Sequence, residues 1–369
     1  MNICLDAYAI ETLPGTFISG YSEELIKVLS QGEYPHVLHG IFDGKIEKNM
    51  ENSLSWCIPA PIVLDRKNNN LTPLEDYFKE NSIEIFHSLN NGFTLPEKKL
   101  VSYVSTIHTL YAAENKELVD EKYYTKFVSL LPKAIENSNK VIAVSNFIKE
   151  ELIRLFNINE DKIHVIYPLV GREFKPLPTS QCKSYLQNKY GIKDNFIFYC
   201  GNLHRSKNLT VIFNIFKYVS VKCRDLKLII AGNTEGKRAE YYNELETLSS
   251  RLEIRDKIIF TGLLPREDMP YFYNRAKCIV NLSEYDGYPL SLCEAALCKT
   301  PIICLLTPSV KEVLSGSAVT CTLKKQREIA DFITYICSSS EFRKSIINKM
   351  EPPLIGSPRD YIDFYNQLQ

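Results

Sequence analysis

The sequence predicts a two-domain α/β protein in which each half is built on its own parallel sheet. Three observations carry that expectation. Short β-branched runs alternate with segments of helical spacing along the chain. The alternation restarts after a proline-containing stretch at residues 171–178. A chain of 369 residues with 45% apolar content is also long enough to bury two cores without disulfides or metal.

In the first half, the runs NICL near residue 3, IEIF at 83–86, VSYVSTI at 101–107, VIAV at 141–144 and IHVI at 163–166 are expected strands. The second half repeats the rhythm with NFIFYC at 195–200, LKLIIA at 226–231, KIIF at 257–260, CIVN at 278–281 and PIICL at 301–305. Between them, Leu209, Ile212, Phe213, Phe216 and Val219 recur at the helical interval and predict a helix with one face on the sheet. Residues 123–135 mix aromatic, basic and apolar side chains, a pattern shared by buried amphipathic helices and by helices lying on a membrane surface. Ser145 has the position of a helix N-cap. A Ser-Pro entry at 357–358, followed by Tyr361, Phe364 and Tyr365, predicts a last helix packed on the body. The Asn/Lys cluster at 66–70 has the composition of a surface loop. The expected division is 1–175, 176–350 and a C-terminal helix in 351–369 that packs back on the first domain.

Charge and cysteine usage exclude several classes. Lys plus Arg and Asp plus Glu both number 44, so no net field draws the chain to nucleic acid or an anionic membrane. The 11 cysteines contain no CxxC pair, which argues against a disulfide framework or a zinc site and for a reducing cytosol. No apolar run approaches the roughly 18 residues of a membrane span. The expected location is cytoplasmic, with peripheral contact at an inner membrane face left open.

Two segments carry chemistry. Gly201 closes a predicted strand and opens GNLHRSKNL, a turn that delivers His204, Arg205 and Lys207 to a helix N-terminus. Free N–H groups, the positive helix end and an ammonium suit a diphosphate, although a solvated basic loop has the same spacing. The second segment, SEYDGYPLSLCEAALCKTPII, passes through Asp286 and Gly287 and enters a helix near Leu290. There Asp286 and Glu294 have the chemistry to accept pairs of hydroxyl hydrogen bonds from a sugar diol. The amides of Leu290 and Ser291 are placed to cap phosphate oxygens. The plainer alternative is an N-capping Asp and a surface Glu.

Taken in order, Gly201, Lys207-Asn208, Phe260-Thr261-Gly262, Ser283, Asp286-Gly287 and Glu294 resemble the C-terminal pattern of the retaining glycosyltransferases of family GT4, which have the GT-B fold. In the first half, LDAYAIETLPGTFISGYSEEL looks like that family's first strand and glycine loop, and STIHTL like its Thr-x-His-Asp motif. The resemblance implies two Rossmann-like domains facing a cleft, a nucleotide-sugar donor held by the second domain, and a glycan, glycolipid or small-molecule acceptor. It further implies Lys207, Asp286 and His108 as catalytic residues. The implied donor-binding set is Gly201, Asn202, Arg205, Lys207, Asp286, Gly287, Tyr288, Leu290, Ser291 and Glu294. Thr16, Phe17 and His87 are candidates for acceptor contact, with a structural role for His87 as the alternative. No Asp-x-Asp motif occurs, so neither a metal nor another cofactor is expected.

Several residues depart from the family pattern. Phe17 and Lys299 stand where glycines are usual, Thr109 follows His108 in place of Asp, Asp286 replaces Glu, and Asn202 replaces Arg. Arg205 is the candidate substitute for the missing phosphate-facing charge. The expected activity is transfer of a hexose-type sugar to a hydroxyl with retention of anomeric configuration, in cell-surface polysaccharide, glycolipid or natural-product assembly. The departures keep two alternatives open: a nucleotide-sugar or glycan-binding protein with weakened turnover, and a nucleotide-sugar 2-epimerase.

Overall fold

The computed structural model describes residues 1–31, 36–41, 57–60 and 72–368. The Asn/Lys cluster at 66–70 lies outside the described residues. The chain forms two compact units, Met1–Leu169 together with Gly356–Gln369, and Val170–Ile355.

The first unit is built on strands β1 (Asn2–Asp6), β2 (Val37–Ile41), β3 (Cys57–Ala60), β4 (Ile83–Ser88), β5 (Ser102–Ile107), β6 (Lys140–Ala143) and β7 (Ile163–Val165). They pair in parallel in the order β3-β2-β1-β4-β5-β6-β7, so the order reverses between β1 and β4. Buried residues run consecutively along β1 and β5, as a sheet covered on both faces requires. Two of the strands were not anticipated. β2 is interrupted by His39-Gly40, and β3 contains Pro59, which is tolerated because β3 is an edge strand.

The segment after β1, expected as a glycine loop, is mostly helical. Tyr8–Thr12 and Phe17–Gln31 are helices, and the connection between them shrinks to residues 13–16, with Gly15 at φ 70°. Ser145 accepts from Ile148 N–H as an N-cap. The 123–135 segment lies in helix Glu121–Asn137, which buries Phe127, Leu131, Ala134 and Ile135 and leaves Val128 outside. Among the described residues no helix is long and apolar enough to cross a membrane.

The last helix, Pro358–Asn366, opens with a reciprocal capping box between Ser357 and Asp360. Its spacing of Tyr361, Phe364 and Tyr365 places all three in the first unit's core with Ile3, Leu5, Leu25 and Ile85. A buried hydrogen-bond chain ties this helix to the sheet. Tyr361 donates to Tyr21 at 3.0 Å, Tyr21 meets Thr106 at 3.2 Å, Thr106 meets His87 Nε2 at 2.7 Å, and His87 Nδ1 meets Tyr365 at 2.7 Å. Both ends of the chain are on one helix face, because residues four apart lie one turn above another.

The second unit is built on β8 (Asn195–Cys200), β9 (Leu226–Ala231), β10 (Ile258–Gly262), β11 (Ile279–Asn281), β12 (Ile302–Leu305) and β13 (Val319–Cys321). Their order is β10-β9-β8-β11-β12-β13, again parallel, with the reversal between β8 and β11. β13 is a partly exposed three-residue edge without enough sequence to announce itself. Helix Leu209–Lys222 buries Leu209, Ile212, Phe213, Phe216 and Val219, the face its spacing predicted. Helix Thr179–Tyr190 is fastened to a single-turn helix at Arg266–Asp268: Tyr185 and Tyr190 both donate to the buried Asp268 carboxylate, and Lys189 pairs with it at 2.6 Å. Burial pushes that carboxyl up, but the hydrogen bonds from Lys189, Tyr185 and Tyr190 outweigh it and leave it below the usual value.

Candidate active site

In an open parallel sheet, loops leaving the strand ends on either side of the order reversal diverge and leave a crevice. In the second unit those loops follow β8 and β11, the two segments that the sequence singled out. Gly201 ends β8 at φ +147°, a region that favours glycine. Gly232, which follows β9, approaches closely enough that an added Cβ would lie 2.2 Å from the Gly201 carbonyl oxygen. Sequence reasoning missed Gly232, although a glycine directly after an apolar run signals such a close approach.

From Gly201 the chain passes through a single-turn helix, Arg205–Lys207, and Asn208 at φ 54° into helix Leu209–Lys222. Four hydrogen bonds then join the two loops. Lys207 Nζ donates to Ser283 at 2.9 Å and pairs with Asp286 at 2.5 Å, the Asn208 amide donates to the Leu282 carbonyl, and Glu284 N–H donates to the Ser206 carbonyl. About a fifth of each of the Lys207 and Asp286 side chains remains exposed, 19% and 21%. The ammonium and the carboxylate are therefore held at the strand ends and still open to solvent. A cation fixed in place next to a helix N-terminus is an arrangement suited to an anion.

Glu294, on helix Leu290–Leu297, is buried rather than a surface residue. Arg266 pairs with its Oε1 at 2.9 Å and Tyr273 donates to its Oε2 at 2.8 Å. Burial pushes the carboxyl up, while the Arg266 charge and the two hydrogen bonds oppose that. Neither Arg266 nor Tyr273 was recognised from sequence, because their contacts to Glu294 span 28 and 21 residues and leave no local signature.

Several expected donor contacts are corrected. Arg205 does not turn toward Lys207: its guanidinium pairs with Glu244 and lies 5.3 Å from the Tyr241 ring centroid. In this structure its charge is therefore engaged by Glu244. The Leu290 N–H is already donated to the Tyr288 carbonyl, while Ser291 lies in the helix's first turn, where backbone N–H groups lack intrahelical acceptors. The Tyr288 side chain is buried and its hydroxyl donates to the Leu354 carbonyl, so only its backbone can face a ligand. Lys299 adopts φ 58° in the glycine position of the family pattern, and its ammonium donates to the Met350 carbonyl.

In the first unit, β5 ends at His108, which is buried. Its N–H donates to Asn91 at 2.7 Å, and Nε2–H donates to the Leu89 carbonyl at 2.7 Å. Burial pushes the ring down to about 4, so it is neutral, and Nδ1 keeps a lone pair with no hydrogen-bond partner among the described residues. Phe17 and Tyr21 pack edge-on against it, with centroids at 5.2 and 4.7 Å. Phe17 thus shapes the His108 environment, and Thr16 sits at the helix entry, donating to the Leu13 carbonyl. His87 is corrected: it is fully buried with both ring nitrogens hydrogen-bonded, so it has no edge for an acceptor and belongs to the core.

The profile described as Glycosyl transferases group 1 matches residues 185–351, and the one described as Glycosyltransferase Family 4 matches residues 36–174. The chain is 25% identical over 235 residues to the O-antigen chain mannosyltransferase B of Escherichia coli, covering 64% of this chain and 60% of that protein. It is 23% identical over 230 residues to the D-inositol 3-phosphate glycosyltransferase of Xylanimonas cellulosilytica, covering 60% and 54%. The chain thus matches less than two thirds of the length of these relatives. Among solved structures, Anabaena HepE in complex with UDP and glucose superposes with a TM-score of 0.73 at 14% identity, covering 95% of this chain and 93% of that one. WaaG, a glycosyltransferase involved in lipopolysaccharide biosynthesis, gives 0.71 at 13% identity, covering 98% and 95%.

Fold and profiles together define a GT-B protein. Each half of the chain matches one of the two profiles, and with the fold they make it a glycosyltransferase of the GT-B type.

Proposed function

We propose that the chain transfers a hexose-type sugar from a nucleoside-diphosphate sugar to a hydroxyl of a growing cell-surface polysaccharide, with retention of configuration and without a metal. The observation that carries this is the Lys207–Asp286 pair fixed between the two loops at the second sheet's order reversal. In this reading the Lys207 ammonium and the adjoining helix N-terminus stabilise the departing diphosphate electrostatically, from positions fixed before it arrives. Asp286 exchanges part of its contact with Lys207 for a hydroxyl of the transferred sugar. Glu294 accepts the ribose hydroxyls. In the first unit, His108 is neutral and its Nδ1 lone pair is suited to accept a sugar hydroxyl. The polysaccharide assignment is supported by the mannosyltransferases among the relatives, and retention by the family.

The test is nucleotide release from a panel of UDP-, GDP- and ADP-linked hexoses with a hydroxyl acceptor, with the product anomer read by NMR. A new glycoside of retained configuration is expected; an isomerised donor would replace the proposal with epimerisation, and binding without release would replace it with a binding role. Lys207→Met should lower kcat/KM about 100-fold, in the range for removing a preorganised transition-state contact. A variant with wild-type turnover would remove Lys207 from the leaving-group site.

A further inference from the structure

We infer that Arg266 and Tyr273 form a two-point clamp that holds Glu294 as an oriented acceptor for a ribose diol, and so set the preference for ribonucleotide over deoxyribonucleotide donors. The inference rests on the donor reading above. Arg266 takes one lone pair on Oε1 and Tyr273 one on Oε2. Each oxygen keeps one further acceptor direction, the number that a 2′,3′-diol requires. Because each partner engages a different oxygen, the plane of the carboxylate is fixed as well as its position.

The clamp is itself anchored on both sides. Arg266 lies on the same single-turn helix as Asp268, which Lys189, Tyr185 and Tyr190 tie to helix Thr179–Tyr190. The guanidinium also sits 5.0 Å from the Phe174 ring centroid, and Phe174 packs on Tyr273. Tyr273 is buried and its hydroxyl lies 3.1 Å from Cys200 Sγ at the end of β8. Arg266 and Tyr273 are positioning residues, because they act through Glu294.

The other groups that bear on Glu294 act against ionisation or are neutral. Glu173 raises its carboxyl, and the thiols of Cys200, Cys293 and Cys298 are held above their usual value by burial. Arg266 supplies the charge that opposes burial. Removing it leaves burial and Glu173 opposed only by the Tyr273 hydrogen bond and moves the carboxyl further up. The variant should then recognise the diol less well, with the deficit shrinking as pH rises, a profile that general destabilisation does not produce.

The experiment measures Kd for UDP and 2′-deoxy-UDP, GDP and 2′-deoxy-GDP, between pH 6 and 9, on the full chain. The wild type should prefer the ribonucleotide about 10-fold or more, in line with one charge-assisted hydrogen bond. Arg266→Gln should reduce that preference to about 2-fold at pH 7 and regain it toward pH 9, while Arg266→Lys retains most of it. Tyr273→Phe, which keeps the ring packing, should cut the preference several-fold and serves if Arg266→Gln does not fold. A wild type that binds UDP and GDP with no preference for ribose overturns the Glu294 reading itself. A wild type with the preference and an Arg266→Gln variant that keeps it at pH 7 overturns the clamp alone. Tighter ribonucleotide binding by Arg266→Gln also overturns it, since the guanidinium would then block the diol.

Discussion

His87 and His108 are buried histidines whose protonation the fold refuses. Burial, with the neighbouring His108 contributing, pushes His87 down to about 3, and burial pushes His108 down to about 4, against an ordinary value of 6.5. Both folded-state values lie below the unfolded one, so the unfolded chain binds more protons at acid pH. Stability is therefore complete above about pH 6.5 and falls as pH drops, by about 1.4 kcal/mol per histidine per pH unit, until the folded values are reached. Urea unfolding of the first unit at pH 7.5 and 5 should show the loss, and His108→Gln should reduce the slope, with His87 and the lowered His36, His39 and His164 supplying the rest. A profile unchanged by the substitution would mean that His108 is protonated in the folded chain. The same residue illustrates what sequence can disclose. His108 was singled out by its place after a strand and by its motif, whereas its tautomer depends on the Leu89 carbonyl, 19 residues away.

At the scale of elements, the strands that sequence disclosed are those with continuous apolar runs, such as NFIFYC and LKLIIA, because central strands of a covered parallel sheet are apolar on both faces. The strands it did not disclose are β2, broken by His39-Gly40, the proline-bearing edge β3 and the three-residue edge β13. At the site, the loops after β8 and β11 were legible because glycine and charge cluster in them. The partners of Arg205 and Glu294 were not, because a long side chain chooses among groups distant in sequence: Arg205 found Glu244, and Glu294 found Arg266. The last helix was legible from its cap and its aromatic spacing, but its polar chain to Thr106 and His87 was not. That chain makes a sharp prediction. Tyr365→Phe preserves the packing but leaves His87 Nδ1 without a partner in a buried site, and should cost about 1–3 kcal/mol in equilibrium unfolding. A loss below about 0.5 kcal/mol would mean that the hydrogen bond contributes nothing net.

At the scale of the molecule, the second unit is one continuous stretch, Val170–Ile355, while the first is closed by residues from the far end of the chain. Ending the chain after Ile355 removes Tyr361, Phe364 and Tyr365 from the first unit's core, a loss of about 1.5–3 kcal/mol for each buried aromatic. Differential scanning calorimetry should then show the first unit's transition lowered or absent and the second unit's retained. Equal loss of both transitions would contradict the assignment of the last helix to the first core.

The discontinuous first unit also dictates an order of events during synthesis. The ribosome releases the strands of the first sheet early, yet the aromatic residues that seal their core emerge only after the whole second unit has been made. The nascent first unit must therefore wait with an open apolar groove, while its younger neighbour already has every residue it needs. A pause in synthesis near residue 355 would prolong the time that groove stays unsealed.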